Sequence, residues 1–184
     1  MFANGADSLA FGSIVASGPN TANPHAVPSD RVIEKGDFVL MDYGAGYCDY
    51  RSDMTRTVVM GEPTQEQLDL YALVRRTHEE CVAAVHPGVE GNDIFKLSKK
   101  IIGDAGYGDY YNHGLGHGVG IDIHELPVFG RKSNIVEEGA VITVEPGIYL
   151  PGVGGVRLED YGVVTKDGYE PFTTSTHELV VIDC

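Results

Sequence analysis

The sequence predicts an α+β fold. Three observations carry that prediction: a glycine-bearing hairpin early in the chain, two amphipathic helices in the middle, and a second glycine-turned hairpin after them. The 184 residues suffice for one domain with a sizeable core, and neither a linker nor a low-complexity tract divides them.

The elements follow in order. "GSIVASG" (Gly12 to Gly18) is a short apolar run between glycines and reads as a strand. "PNTANPHAVPSD" is loop, rich in Pro and Asn. "DFVLMDYGA" reads as a strand entering a turn, and "YRSDMTRTVVM" as the returning strand. A helix starts at "EPTQEQ", where Thr64 is a fitting N-cap with Gln67 three residues on. Leu68, Tyr71, Ala72, Val74, Cys81, Val82 and Val85 form its expected buried side, and Pro87-Gly88 stops it. A second helix is expected from Asn92 to about Gly103, turning Ile94, Leu97, Ile101 and Ile102 inward. "YYNHGLGHGVGIDIHELP" is too glycine-rich for a helix interior. "GAVITVEPGIYLPGVGGVRLEDYGVVT" reads as strand, turn, strand, and "THELVVI" as a last strand. Each half thus supplies an acid-bearing hairpin.

Composition narrows the function classes. Apolar residues make up 42% and charged residues 22%, which is ordinary for a globular domain. The formal net charge of −14 argues against a nucleic-acid partner, which calls for a basic face. No apolar run approaches the roughly 18 residues of a membrane helix, so no membrane partner is expected. Cys48, Cys81 and Cys184 are scattered and fit no C-x-x-C pattern; they read as free thiols of a reducing compartment, the cytoplasm.

Four acids stand out. With the first turn placed midway between Asp42 and Asp53, at Tyr47-Cys48, a simple antiparallel register sets the two aspartates opposite each other. Glu145 and Glu159 likewise have their midpoint at Gly152, inside "PGVGG". Opposed like charges on one hairpin face destabilise the pair. One such pair is an ordinary feature of a solvated surface; two pairs, each beginning at the end of an apolar run ("FVLMD", "VITVE"), call for a counter-cation. Four carboxylates are balanced by two divalent ions.

The glycine-rich stretch supplies nitrogen. In "HGLGHGVGIDIHE", glycines hold the even positions from Gly114 to Gly120, so His113 and His117 share a face if the segment is extended. His124 follows closely. The run does not match a dinucleotide loop: Val119 stands where the third glycine of G-x-G-x-x-G belongs, and no strand-turn-helix context surrounds it. His78, His86 and His177 receive no role from sequence.

In this setting Asp42 in "MDYG", Asp53 in "SDMTRT", His117 in "HGLGHGVG", Glu145 in "VEPG" and Glu159 in "RLED" stand in the order of a known ligand set. The chain resembles the "pita-bread" metallopeptidases, the family of methionine aminopeptidase, aminopeptidase P and prolidase. It looks most like the Xaa-Pro peptidases, through "NPHAVPSD" with His25, "HELP" after Ile123, and "RLED" with Arg157. Creatinase shares the fold without the metal site, and all five ligand positions are kept here.

The resemblance implies a curved antiparallel sheet with helices on its outer face and pseudo-twofold halves. It implies two divalent ions, Mn2+ first, with Co2+, Zn2+ or Fe2+ as alternatives. Asp42, Asp53 and Glu159 would hold one ion; Asp53, Glu159, His117 and Glu145 the other, with a shared water as nucleophile. Glu145 would shuttle the proton, His124 would stabilise the oxyanion, and His113 would line the site and help bind substrate. His25 would lie on the substrate side, and Arg157 would orient Glu159 or grip a substrate carboxylate. The implied substrate is a peptide with proline at the second position. The runner-up activity is that of methionine aminopeptidase; a reading from another class is a pita-bread binding module without catalysis. Family members carry helices before the "IVASG" strand and often a separate N-terminal domain. Residues 1–184 are therefore expected to be the catalytic domain of a longer, homodimeric protein.

Overall fold

The computed structural model describes residues 1–132 and 134–183; the thiol expected at Cys184 lies outside the described residues. The first half carries β1 (Ser8–Leu9), β2 (Ile14–Ser17), β3 (Phe38–Asp42), β4 (Ala45–Tyr47), β5 (Tyr50–Arg51) and β6 (Thr55–Met60). Helices α1 (Gln65–Ala84) and α2 (Gly91–Asp104) follow. The second half carries β7 (Gly116–Gly118), β8 (Glu125–Phe129), β9 (Val141–Val144), β10 (Gly147–Leu150), β11 (Gly154–Arg157), β12 (Asp160–Thr165) and β13 (Gly168–Pro171). The last strand, β14 (Val181–Ile182), returns to the first half and runs parallel to β6. The two larger sheets have strand orders β14-β6-β3-β2 and β13-β12-β9-β7-β8.

Each half is built on one long hairpin. In the second, the predicted register holds throughout: Val144 pairs with Asp160 and Gly147 with Arg157, which leaves Glu145 and Glu159 facing each other where the ladder is interrupted. In the first, the register is displaced from the expected one. Asp42 pairs with Thr55, not with Asp53, and Tyr47 pairs with Tyr50. The turn therefore sits one residue later, on Cys48-Asp49, whose φ values of 49° and 69° are left-handed. Non-glycine residues with positive φ carried no glycine signal to mark the turn. Asp53 falls opposite Gly44, where a Cβ would lie 1.7 Å from the carbonyl oxygen of Ser52.

The helix starts follow their chemistry. Thr64 and Gln67 form the expected capping box, each side chain accepting from the other's backbone N–H. The buried stripe of α1 differs from the expected one: Leu68 is 40% exposed and Ala72 faces out, while Leu70, Leu73, Thr77 and His78 turn in. Tyr71, Val74, His78, Cys81 and Val85 follow the i, i+3, i+4 rhythm, and His78 occupies a place in it that a scan for apolar letters skips.

The core lies between helices and hairpins. Tyr71 and Val74 of α1 and Ile101 and Ile102 of α2 pack with Phe38, Val59, Ile148, Val156 and Leu158. Cys81, Val85 and Ile94 pack with Leu115, Phe129, Ile142, Val144 and Val164. Because side chains alternate along a strand, the neighbours of these apolar residues point the other way. Glu145, Arg157 and Glu159 thereby line a cavity of about 640 Å3. Among the described residues, no helix is long and apolar enough to cross a membrane.

Candidate active site

The cavity gathers all five expected ligand residues. Asp42 sits at the end of β3, Asp53 just before β6, His117 in the middle of β7, Glu145 after β9 and Glu159 before β12. Ligand atoms of Asp53, His117 and Glu159 lie within 4.8 Å of one another. Nε2 of His117 is 3.7 Å from Asp53 Oδ2 and 3.4 Å from Glu145 Oε1. The close approach of β7 to β9 places it there: a Cβ on Gly116 would meet the Thr143 carbonyl oxygen at 2.1 Å. Thr143 Oγ1 accepts from the His117 backbone N–H, and Nδ1 of His117 donates to Gly118 O at 3.1 Å, which leaves Nε2 facing the acids.

Burial governs the protonation of these groups. Asp53 is pushed up to about 8, first by desolvation and then by the charges of Asp42 and Glu145. Desolvation also lifts Glu145 to about 8, against the pull of Arg157. Glu159 is raised well above the usual carboxylate range by burial and by Asp53, Glu145 and Asp42. His117 and His113 are lowered to about 4 by burial, so both imidazoles are neutral at pH 7. The Oδ1 atoms of Asp42 and Asp53 are buried without a hydrogen-bond partner. Such orphaned acceptors are costly unless something positive meets them.

Arg157 is anchored on several partners around the cavity. Its Nη2 donates to Asp42 Oδ2 at 2.5 Å, and its Nη1 to the Tyr149 hydroxyl at 2.9 Å and to Pro24 O at 3.2 Å. Its Nε donates to Thr55 Oγ1 at 3.0 Å, and Thr55 in turn donates to Glu159 Oε2 at 2.6 Å. Arg157 thus reaches Glu159 through Thr55, and its direct carboxylate partner is Asp42. Tyr149 also lies 2.8 Å from His113 Nε2, while His113 Nδ1 donates to Gly114 O. His124 stacks edge-on to His117 with centroids 4.3 Å apart, and exposed His25 lines the cavity.

Thr55, Tyr149 and Thr143 escaped sequence reasoning. Each had a findable signal, since Thr55 lies two residues from Asp53 and Tyr149 and Thr143 share the odd-numbered face of Glu145 and Glu159. A further gathering was missed as well. His78 and His177, with no role from sequence, both meet Asp160, and the three side chains offer ligand atoms within 4.8 Å of one another.

Known proteins share this architecture. Residues 1–166 match metallopeptidase family M24. A Xaa-Pro dipeptidase of Pyrococcus horikoshii is 45% identical over 178 residues, covering 96% of this chain and 51% of its own. One from Lactobacillus delbrueckii subsp. lactis is 43% identical over 179 residues, covering 97% of this chain and 49% of its own. The crystal structure of the Pyrococcus horikoshii prolidase superposes with a TM-score of 0.95 at 44% identity, over 97% of this chain and 52% of that one. The X-Pro aminopeptidase of Thermotoga maritima superposes with a TM-score of 0.95 at 38% identity, over 98% and 52%. The chain spans about half the length of the curated relatives it matches. It has the pita-bread fold of these proteins, and it belongs to metallopeptidase family M24.

Proposed function

We propose that this chain carries the catalytic centre of a dinuclear metal-dependent exopeptidase that hydrolyses Xaa-Pro bonds, as a dipeptidase or an aminopeptidase. The supporting observation is the convergence of four carboxylates and one neutral imidazole in one cavity, with two buried carboxylate oxygens left unpartnered. That donor set fits divalent cations and disfavours an empty, fully ionised site. Asp42, Asp53 and Glu159 would hold one ion; Asp53, Glu159, His117 and Glu145 the other. Oxygen-rich ligands with one imidazole suit Mn2+, with Co2+, Zn2+ and Fe2+ also admissible. When bound, the ions supply Lewis acidity and hydroxide at neutral pH.

The chain's own residues do the rest. Glu145, which faces His117 Nε2 in the cavity, takes up the proton that the attacking water gives up and returns it to the leaving nitrogen. His124 donates to the oxyanion that develops on the substrate carbonyl. His113, fixed between Gly114 O and the Tyr149 hydroxyl, shapes the cavity wall against the substrate. Arg157 holds Asp42 in orientation and offsets its charge. His25 stands on the substrate side.

Specificity for proline at the second position rests on the names of the relatives, which are Xaa-Pro dipeptidases. The test is hydrolysis of Gly-Pro and Ala-Pro against a Met-Ala-Ser peptide by the Mn2+-loaded chain. Cleavage of Met-Ala-Ser alone would exclude the Xaa-Pro reading. The unpaired Cys48 and Cys81 support a cytoplasmic location.

A further inference from the structure

Among the described residues, the acidic cavity leaves one cluster of ligand-bearing side chains unused. His78 of α1 is only 1% exposed, and both of its ring nitrogens lack a hydrogen-bond partner. A buried imidazole with two unsatisfied nitrogens is unusual in a core and costs stability unless a ligand meets it. Its Nε2 points at Asp160 Oδ2, 3.5 Å away. His177 Nε2 lies 2.7 Å from the same oxygen, and the two imidazole rings are 5.0 Å apart.

We propose that His78, Asp160 and His177 form a second metal site, separate from the acidic one, for a single borderline transition-metal ion, Zn2+ by its donor chemistry. Two imidazoles and one carboxylate suit that class of ion, whereas an oxygen-rich set suits harder ions. In a tetrahedral site with bonds of about 2.05 Å, neighbouring donor atoms stand roughly 3.3 Å apart. The 3.5 Å between His78 and Asp160 is already close to that, and the 2.7 Å between His177 and Asp160 has to open slightly.

The surroundings hold the donors in place. Asp160 Oδ1 accepts from Arg56 Nη2 and Thr173 Oγ1, both at 2.6 Å, which leaves Oδ2 for the ion. The segment bearing His177 is pinned to α1 and β6: Tyr71 donates to His177 O at 3.2 Å, and Arg56 to Ser175 O and Thr176 O at 3.1 and 3.2 Å. The His177 side chain is 30% exposed, so an ion has a way in from solvent. Asp160 and Glu159 are adjacent and therefore point to opposite faces of their strand, which separates the two sites. Arg56 places a positive charge beside Asp160, so this site fills after the acidic one.

The experiment is a metal count on the full chain. Metal-stripped wild type, His177→Ala, His78→Gln and Asp53→Ala are equilibrated with excess Zn2+, and bound zinc is measured by atomic emission. The His177 and His78 variants are expected to bind one Zn2+ fewer than wild type. Asp53→Ala, which damages only the acidic site, is expected to keep this ion. Co2+ added to Asp53→Ala should give a visible d–d absorption that adding His177→Ala abolishes. Equal zinc counts in wild type and His177→Ala would overturn the proposal, as would a Co2+ spectrum unchanged by that substitution. His177 is partly exposed and its variant is expected to fold, so it decides alone if His78→Gln does not.

Discussion

Asp53 is the residue on which the acidic cavity turns, because it faces His117, Asp42 and Glu145 at once. Replacing it by alanine should remove at least one ion per chain; metal analysis that still returned two in the acidic site would refute its bridging role. Thr55 offers a gentler probe. Its hydroxyl links Arg157 to Glu159, so Thr55→Val keeps the volume but breaks the relay. An outer partner of this kind is worth roughly 10–100-fold in metal affinity. Competition with a chelator would measure that loss, and unchanged affinity would make the relay incidental. Arg157→Ala should cost the metal-free chain about 3–5 kcal/mol, since it strands the Asp42 carboxylate in a buried place. Urea denaturation reads that directly. pH acts through the same residues. Asp53 and Glu145 have folded values near 8, above their unfolded ones near 4. Their protons therefore stabilise the metal-free fold fully below about pH 4, and this contribution is lost as pH rises through about 8. Ion binding must displace those protons, so affinity should climb from pH 6 to pH 8; calorimetry in two buffers of different ionisation enthalpy would count the protons released.

At the scale of elements, the close contact of β7 and β9 sets the position of His117. Gly116→Ala would drive a methyl into the Thr143 carbonyl, for which strand pairing leaves no room. The expected result is a loss of roughly 1–3 kcal/mol in stability together with weaker metal binding. Normal metal affinity in a folded Gly116→Ala protein would show that β7 is looser than its packing indicates. The two hairpins show what a sequence can and cannot convey. The second was legible because its turn is marked by glycines and its register runs unbroken from β9 through β12. The first was read one residue short, because left-handed Cys48 and Asp49 turn it while Gly44 and Gly46 serve close contacts elsewhere. The residues that gather in the cavity were legible from their local motifs; the side chains that hold them were not. Arg157 meets Asp42 across 115 residues of chain, and no pattern along the sequence reports that contact. His78 was hidden for another reason. Its helical position marks it as buried, yet what it faces depends on how α1 docks.

At the scale of the whole molecule, the acidic cavity is a junction between two halves. Each half brings one bent hairpin, and Arg56 of the first donates to the Glu159 carbonyl and the Asp160 carboxylate of the second. Ions bound by the proposed ligand set would therefore act as a cross-brace between halves. Saturating Mn2+ at 100 times its dissociation constant should add about 2.7 kcal/mol to the stability of the chain, and a chelator should remove it. Thermal unfolding with and without chelator would reveal the difference; coincident curves would detach the ions from the fold. The distribution of the five proposed ligands along the chain has a further result. Asp42 and Asp53 are made early and Glu159 late, with both helices in between. The proposed set of five is complete only once Glu159 has been added to the chain. Metal capture by the proposed ligand set would thus be a late, vectorial step in the biogenesis of this chain, because its last member is the last to be made.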